Sequence, residues 1–377
     1  MPNHVINHVS FLDCSRERRQ EIFRAIQCEN DGENEYYGIG TIDFNKVVPM
    51  PEDLKIESGS RTVNGIELCL TAANPLVDYY GDKKMSPADF SDLLERANRG
   101  RMFGSYRSSL SKEEIEKITK YESGESLMQL GRQALLNVVL FGAADWYDWR
   151  CMNWGTKWNA YEFSDFDEED GSFSFETAWS APHPILARLS EMYPDVCIEH
   201  FWADEDIGNN CGWAEYENGQ RVRGNGSMTG IEAVEFAARQ WGWDIHDDLG
   251  MYMNRNHTRY ICTENEKYDL IEIFGVPGIF SNERLTKEDI PEDLFLYQLR
   301  DCDGECGPFG EIAEYISANH SGSIVTKEPL DLGEYGSILF NENNAPRFAG
   351  DEITIGQLLR GDFRMDMSDE QDDMRFE

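Results

Sequence analysis

The stretch CIEHFWADEDIGNNCGWAEYENGQ, residues 197–220, decides the fold. Strand-forming residues stand on both sides of Gly208, Asn209 and Asn210, which are residue types that tight turns favour. The stretch therefore predicts two strands joined by a turn. The preceding segment, PHPILARLSEMYP at 182–194, places apolar residues on one helical face and ends on a proline, so we predict a helix there.

The N-terminal part of the chain predicts a β-α-β unit. NHVINHVSFL at 3–12 alternates apolar and polar residues, RERRQEIFRAIQ at 16–27 follows a capping serine, and IGTIDFNKVVPMP at 39–51 has the pattern of a strand ended by prolines. Residues 52–149 interrupt this unit with capped, apolar segments of helical pattern, and we interpret them as a helical insertion.

Strand character returns after the insertion, in WGTKWNAYEF at 154–163 and GSFSFETAWSA at 171–181. The order β-α-β, helical insertion, β-β-α-β-β is typical of an antiparallel ferredoxin-like sheet with helices on one face. Later strand-like runs indicate a second small α+β domain rich in antiparallel strands. We therefore predict an α+β protein with a ferredoxin-like domain at 1–222 (insertion at 52–149), a linker with an amphipathic helix at 223–263, a second domain at 264–362, and an acidic tail at 363–377.

The charge of the chain is strongly negative. Its 71 acidic and 34 basic residues give a net charge of −37, which repels nucleic acid phosphates and attracts basic surfaces. Residues 161–220 hold fifteen Asp or Glu and one basic residue, Arg188. They form either a merely solvated face or a surface that binds a basic protein or imitates a phosphate backbone. The candidate binding residues are Asp165, Asp167, Glu168, Glu169, Asp170, Asp204, Glu205 and Asp206.

Two tryptophans, Trp154 and Trp158, stand four residues apart and have Lys157 between them. On a strand the two indoles share one face, where they either pack in the core or, if exposed, offer stacking platforms for nucleic acid bases. The acidity of the chain favours the core. Trp154, Lys157 and Trp158 are therefore the candidate residues of an alternative, nucleic-acid-binding surface.

The sequence contains no motif for catalysis or cofactor binding, since GxGxxG, the P-loop, the nucleophile elbow and HExxH are all absent. We predict no cofactor and no metal, and an enzyme is the less favoured class. His183 either acts as a base or packs at a helix start. Cys302 and Cys306 form a close pair without the further ligands of a zinc site. Scattered cysteines, no export signal and no long apolar run indicate a cytoplasmic protein with reduced thiols and no membrane partner.

Five segments resemble, in order and spacing, the YubB ferredoxin-like family of phage and plasmid proteins: MPNHVINHVSF, FNKVVPMPEDL, NWGTKWNA, TAWSAPHPILARLSEMYP and CGWAEYENG. This resemblance covers about residues 1–222. Residues 264–360 resemble a large polyvalent protein-associated domain, for example in YDLIEIFGVPGIFSNERL and FAGDEITIGQLL. The resemblances imply a mobile-element gene product expressed in a bacterial host, and they imply no activity.

Three hypotheses about function follow. The favoured one is a non-enzymatic accessory protein of a phage or conjugative element that binds a basic host protein through its acidic surface. Its target would be, for example, a nucleic-acid-binding defence nuclease, inhibited in the manner of an anti-CRISPR protein or a DNA mimic. The second is a nucleic-acid-binding module that uses the aromatic strand. The third is an enzyme that acts on a small molecule or nucleotide.

Overall fold

Two units make up the chain, Met1–Met228 and Thr229–Glu377. The computed structural model describes residues 2–30, 32, 35–77, 84–99, 101, 104–226, 228–298, 322–331 and 346–365. Cys302, Cys306 and nearly all of the acidic tail lie outside these residues.

A six-stranded antiparallel sheet organises the first unit. Its strands are β1 (His4–Leu12), β2 (Tyr161–Asp167), β3 (Ser172–Ala178), β4 (Cys197–Asp204), β5 (Gly212–Glu217) and β6 (Gln220–Asn225). They lie in the order β2-β3-β1-β4-β5-β6. With helices α1 (Arg16–Ile26) and α8 (His183–Met192), the first four strands form the β-α-β-β-α-β arrangement of a ferredoxin-like fold. The predicted α+β fold class and the β4–β5 hairpin are confirmed.

One face of this sheet holds the main core. Residues that pair across antiparallel strands point to the same face, and Val9 of β1 pairs with Phe173 of β3 and with His200 of β4. Phe23 of α1 and Leu189 of α8 pack in the same buried cluster. Burying an aliphatic or aromatic side chain of this size stabilises the fold by roughly 1.5–3 kcal/mol.

Between α1 and β2 the described regular structure is helical. The helices are α2 (Phe44–Val47), α3 (Ser60–Ala73), α4 (Pro87–Asn98), α5 (Lys112–Ile118), α6 (Gly124–Phe141) and α7 (Trp146–Asn153), with a 3-10 turn at Glu52–Leu54. Gly65 of α3 and Gly131 of α6 meet where these helices cross, and a Cβ on Gly131 would stand 2.1 Å from the carbonyl oxygen of Gly65. Glycine is needed there because any side chain would push the backbones apart.

The residues of α6 and α7 include the one candidate membrane span found in the described residues, judged by length and composition only. In the structure this stretch is two helices. Ala134 and Val138 of α6 pack against Ile66 and Leu70 of α3 in a helical core. Packing thus uses one face of α6, whereas Leu136, Val139 and Leu140 on the same helix remain exposed.

The segment IGTIDFNKVVPMP, predicted as a strand, instead contains α2. Asp43 caps this short helix by accepting a hydrogen bond from Asn45 N, and the distant Asn159 accepts one from Phe44 N at 2.9 Å. These bonds satisfy backbone groups that a strand would present to a neighbour. Along the chain, the first strand of the sheet after α1 is therefore β2, which comes after the helical segment.

WGTKWNAYEF was also predicted as a strand from its first residue, and this is wrong. Asp145 accepts hydrogen bonds from the backbone N–H groups of the next turn and starts α7, which runs to Asn153. Trp154 caps the end of that helix, and Gly155 turns the chain with a φ of +80°. Trp154 and Trp158 therefore do not share the face of a strand.

The two outermost strands of the sheet are irregular. β2 pairs with β3 through two register shifts, and Glu162 and Asp165 have positive φ values of 45° and 50°. β6 pairs with β5 through one register shift and has a φ of +141° at Gly224. The predicted linker at 223–263 thus begins inside a paired strand. The glycines that suggested flexibility instead allow a close approach, since a Cβ on Gly224 would stand 2.3 Å from the Trp213 carbonyl oxygen.

The second unit is also antiparallel in its sheets. Its elements are α9 (Gly230–Trp241), β7 (Met251–Met253), β8 (Tyr260–Cys262), β9 (Lys267–Ile273), β10 (Val276–Ser281), β11 (Phe295–Gln298), β12 (Ser323–Thr326), β13 (Arg347–Thr354) and α10 (Ile355–Arg360). Five strands lie in the order β11-β12-β10-β9-β13, and β7 pairs with β8. Leu270, Ile279 and Val325 of this sheet form a core with Leu358 of α10. The amphipathic helix predicted after residue 230 is confirmed as α9.

Candidate functional site

The predicted acidic residues lie at two opposite ends of the first sheet. Ser10 of β1 pairs with Ser172, next to the β2–β3 turn, whereas Val5 pairs with Asp204 at the end of β4. Five residue steps along β1 separate these pairs, which is about 17 Å. Asp165, Asp167, Glu168, Glu169 and Asp170 lie at the first end, which we call the hairpin end. The other end, where Asp204, Glu205 and Asp206 lie beside Lys157, Trp158 and Trp179, we call the aromatic end.

Carboxylates at the hairpin end partly serve the turn itself. Asp167 accepts hydrogen bonds from the backbone N–H groups of Asp170 and Glu169, at 3.0 and 2.7 Å, and these bonds lower the pKa of its carboxyl group. Glu168 lies 3.5 Å from the guanidinium of Arg16. The other carboxylates of this end are exposed.

Asp204 is buried at the aromatic end and holds the loop after β4 in place. Its Oδ1 accepts hydrogen bonds from Asn3 Nδ2 at 3.0 Å and from Asp206 N at 2.9 Å. Its Oδ2 accepts one from Asn210 Nδ2 at 2.9 Å. Of the three acidic residues predicted here, Asp204 is thus buried and structural, whereas Glu205 and Asp206 are exposed.

Three aromatic rings surround the ammonium group of Lys157. Its Nζ lies 4.5 Å from the ring centre of Trp158, 4.9 Å from that of Trp179 and 6.0 Å from that of Tyr147. We call these three rings the aromatic box. Tyr147 and Trp179 meet edge to face, with 6.2 Å between their centroids. Burial raises the pKa of Tyr147 to about 12, so its phenol stays neutral, and cation–π attraction holds the ammonium.

A hydrogen-bonded group with two carboxylates lies next to the box. Trp158 contacts Tyr161, whose hydroxyl lies 3.1 Å from His4 Nδ1. The same Nδ1 lies 2.9 Å from Glu176 Oε2, and His4 N donates to Glu205 Oε1 at 3.0 Å. Burial raises the pKa of Glu176, an effect that the hydrogen bond from His4 partly offsets. Burial also raises the pKa of Tyr161, and the neighbouring carboxylates add to this, which shows that the local field is negative.

Trp179 is held in an unusual backbone conformation. Its φ is +69°, in the left-handed region that bulky side chains rarely adopt. Its N donates to Asn3 O at 2.9 Å, and its carbonyl accepts a hydrogen bond from Asn210 Nδ2 at 3.0 Å. The side chain nevertheless remains 38% exposed. Strained residues of this kind concentrate at functional sites, because the surrounding structure has to hold them.

Two neutral histidines lie where α8 packs on the first sheet. His183, the first residue of α8, has its Nδ1 2.7 Å from Tyr216 OH, and fully buried His200 has its Nε2 3.0 Å from Asn7 Oδ1. An amide oxygen only accepts, so Nε2 of His200 carries the proton. Burial lowers the pKa of His183 to about 4 and that of His200 well below its ordinary value. Both rings pack on Trp202, which supports the packing interpretation of His183.

The structure regroups the residues that the sequence singled out. Lys157 and Trp158 lie at the same end as Glu205 and Asp206, so residues from two separate hypotheses share one surface. Trp154 is fully buried, and its Nε1 donates to Val48 O at 2.9 Å. The predicted aromatic strand surface is therefore lost, since one of its two rings is in the core.

Sequence reasoning missed the rest of the aromatic box. Tyr147 comes from α7, Trp158 from the loop that follows it, and Trp179 from the residue directly after β3. No local pattern shows that these rings meet. The available signal was the aromatic density of ADWYDWR, immediately before the quoted tryptophan pair.

Comparisons with known proteins match two parts of the chain to two different domain families. Residues 153–243 match a family model described as a ferredoxin-like domain in Api92-like protein, and residues 264–360 match large polyvalent protein associated domain 28. No curated protein matches the chain. Among solved structures, the crystal structure of protein api92 from Yersinia pseudotuberculosis matches with 10% sequence identity and a TM-score of 0.26, covering 61% of this chain and 99% of that one.

Proposed function

We propose that the chain is a non-enzymatic accessory protein that binds a basic segment of another protein, and that the aromatic end is its binding surface. One observation carries this proposal: Trp179, an exposed tryptophan at positive φ, lies at the same end as the exposed carboxylates of Glu205 and Asp206. A basic side chain gains from both features, because carboxylates attract its charge and indole faces stack on its cation.

The charge distribution favours a basic protein over nucleic acid as the partner. The net charge of −37 opposes the approach of phosphates and accelerates the approach of a basic surface. Nucleic acid remains the second candidate, because Lys157 between two indoles is a combination that also suits a stacked base and its phosphate. The burial of Trp154 weakens that candidate.

The mobile-element setting belongs to the same proposal. It rests on the resemblance of residues 1–222 to phage and plasmid proteins, and we propose the cytoplasm of a bacterial host as the place of action. A nuclease of a defence system suits the surface, because such enzymes bind phosphates through basic residues. Imitation of a phosphate backbone would need a continuous row of carboxylates, and the acidic segments lie about 17 Å apart, so we favour a local contact.

Two variants with equal changes of charge test which end binds. The first carries Glu162→Gln, Glu205→Gln and Asp206→Asn at the aromatic end. The second carries Asp165→Asn, Glu169→Gln and Asp170→Asn at the hairpin end. All six side chains are exposed, so both variants should stay folded and lose the same charge.

We expect a lysine-rich peptide to bind the aromatic-end variant about tenfold more weakly than the unmodified protein, and the hairpin-end variant about twofold more weakly at most. The measurement is a titration at physiological salt, with thermal unfolding as the check on folding. Equal losses for both variants would reject the aromatic end. Tight binding of single-stranded or duplex nucleic acid that depends on Trp158 would instead favour the second candidate.

A further inference from the structure

We infer that the aromatic box is a receptor for the ammonium group of a partner lysine, and that Lys157 is a resident occupant that this lysine displaces. The inference rests on the proposed function and deepens it by naming the group that enters the site. It concerns Tyr147, Trp158 and Trp179, whereas the proposed function depends on the carboxylates around them.

The contacts of the Lys157 ammonium group are aromatic. Within the described part of the chain, the Lys157 ammonium makes no ion pair and no hydrogen bond, and its recorded contacts are with the three rings. The box therefore binds an ammonium group already, without help from a carboxylate.

Exchange requires the Lys157 side chain to leave the box. Lys157 lies in the loop after α7 and is only partly buried. If it leaves the box, its ammonium regains water, so little is lost when an equivalent ammonium takes its place. A partner lysine also brings its charge toward Glu205 and Asp206, which Lys157 does not pair with, and this difference favours exchange.

The backbone of Trp179 supports a receptor over a purely structural cluster. A tryptophan at a φ of +69° costs stability, and the fold retains it with one face of its ring on the Lys157 cation. The ring is partly exposed, so core packing alone does not explain the strain. The strain is explained if the Trp179 ring forms one side of a binding site and has to be held at a fixed angle.

A vacated box should bind a free ammonium ion more tightly. Lys157 occupies the box and so reduces the fraction of molecules whose box is free to bind another ion. Lys157→Ala should therefore bind tetramethylammonium with an affinity at least about threefold higher than that of the unmodified protein. The readout is the upfield ring-current shift of the methyl protons in a nuclear magnetic resonance titration, with sodium chloride as the ionic-strength control. Lys55→Ala is the matched control, because it removes a lysine that pairs with Glu52 and not with the rings of the box.

Trp179→Ala should abolish the ring-current shift, and Trp179→Gly should do the same while relieving the backbone strain, which guards against misfolding. A lysine peptide should compete for the box, and its neutral acetyl-lysine analogue should not. If an arginine peptide competes as well as the lysine peptide does, the box does not select an ammonium group, and the inference is overturned.

Failure of this inference can be told apart from failure of the proposed function. If Lys157→Ala binds tetramethylammonium no better than Lys55→Ala, the receptor is rejected. The lysine-rich peptide would then still distinguish the aromatic-end and hairpin-end charge variants if the proposed function holds. Suppose instead that the two charge variants bind the peptide equally while Lys157→Ala binds tetramethylammonium more tightly. The aromatic box is then supported as an ammonium site, and the acidic surface is rejected as a binding surface.

Discussion

The hairpin end and the aromatic end of the first sheet carry similar acidic sequence and differ in what the acids do. At the hairpin end, Asp167 closes a turn and Glu168 approaches an arginine. At the aromatic end, one buried carboxylate organises a loop, and the exposed ones lie next to aromatic rings and a strained tryptophan. Acid density therefore predicts exposure and solubility, whereas a binding site also needs groups that only the tertiary structure brings together.

Acidification should have the largest effect, and it tests whether buried histidines or the acidic segments set the pH dependence of stability. Below pH 6.5 an unfolded histidine binds a proton, whereas folded His183 stays neutral until about pH 4, and burial holds the pKa of His200 well below its ordinary value. The unfolded state thus binds more protons in this window, and stability is lost as the pH falls. We expect the free energy of unfolding to drop by roughly 1.4 kcal/mol per pH unit for each buried histidine. Urea unfolding followed by tryptophan fluorescence between pH 7 and 5 measures this.

Backbone hydrogen bonds lower the pKa of Asp167 at the hairpin end, so this carboxyl group should contribute little to the slope. The double variant His183→Gln, His200→Gln should be less stable at pH 7 and show a flatter pH dependence. His257→Gln, which changes an exposed histidine of the second unit, should leave the slope as it was. An equally steep slope in the double variant would show that other groups cause the acid sensitivity.

A second contrast compares one aspartate from each end. Asp204→Ala should lower the free energy of unfolding by about 2–3 kcal/mol, because it removes a buried carboxylate that accepts three hydrogen bonds. Asp167→Ala removes two hydrogen bonds in an exposed turn, where water replaces them, and should cost less. Urea midpoints of the full chain provide the measurement. A larger loss from Asp167→Ala would reverse the structural roles given to these residues.

The smallest effect is expected at Trp179. Trp179→Gly should change the free energy of unfolding by less than about 1 kcal/mol, because relief of the left-handed backbone offsets the loss of ring contacts. Trp158→Gly is the matched control, since it removes a ring of the same box without relieving a positive φ. Thermal unfolding of both variants decides the matter: equal destabilisation would mean that Trp179 stores no strain.

Elements with their own local signals could be predicted from the sequence. The capped helices predicted within 52–149 are present, with Ser86 capping α4 and Ser111 and Glu114 forming a capping box at α5, and so is the β4–β5 hairpin. The short helix α2 could not be predicted, because Asn159, which caps its first residue, is distant in sequence. β2 is an exposed edge strand with little apolar alternation. The alternation pattern therefore predicted the strand after α1 at 39–51 instead of at β2.

The candidate site was predictable only in fragments. Glu205, Asp206, Lys157 and Trp158 were chosen for charge or ring type, and they do lie at one end of the sheet. Their grouping depends on strand register and on where α7 stops, which Asp145 and Gly155 set through capping and a positive φ. A pattern in one chain segment carries no information on such long-range pairing.

The irregular outer strands described above bear on how copies of the protein avoid stacking into fibres. A flat edge strand offers free N–H and C=O groups and can accept a strand from another molecule. β2 departs from a flat ladder through its two register shifts, and β6 has a positive φ at Gly224 and carries Arg221 and Arg223. Both are poor templates for strand addition. Recognition of another chain by backbone pairing along the sheet is thereby disfavoured, and selectivity is left to the side chains where the strands stop.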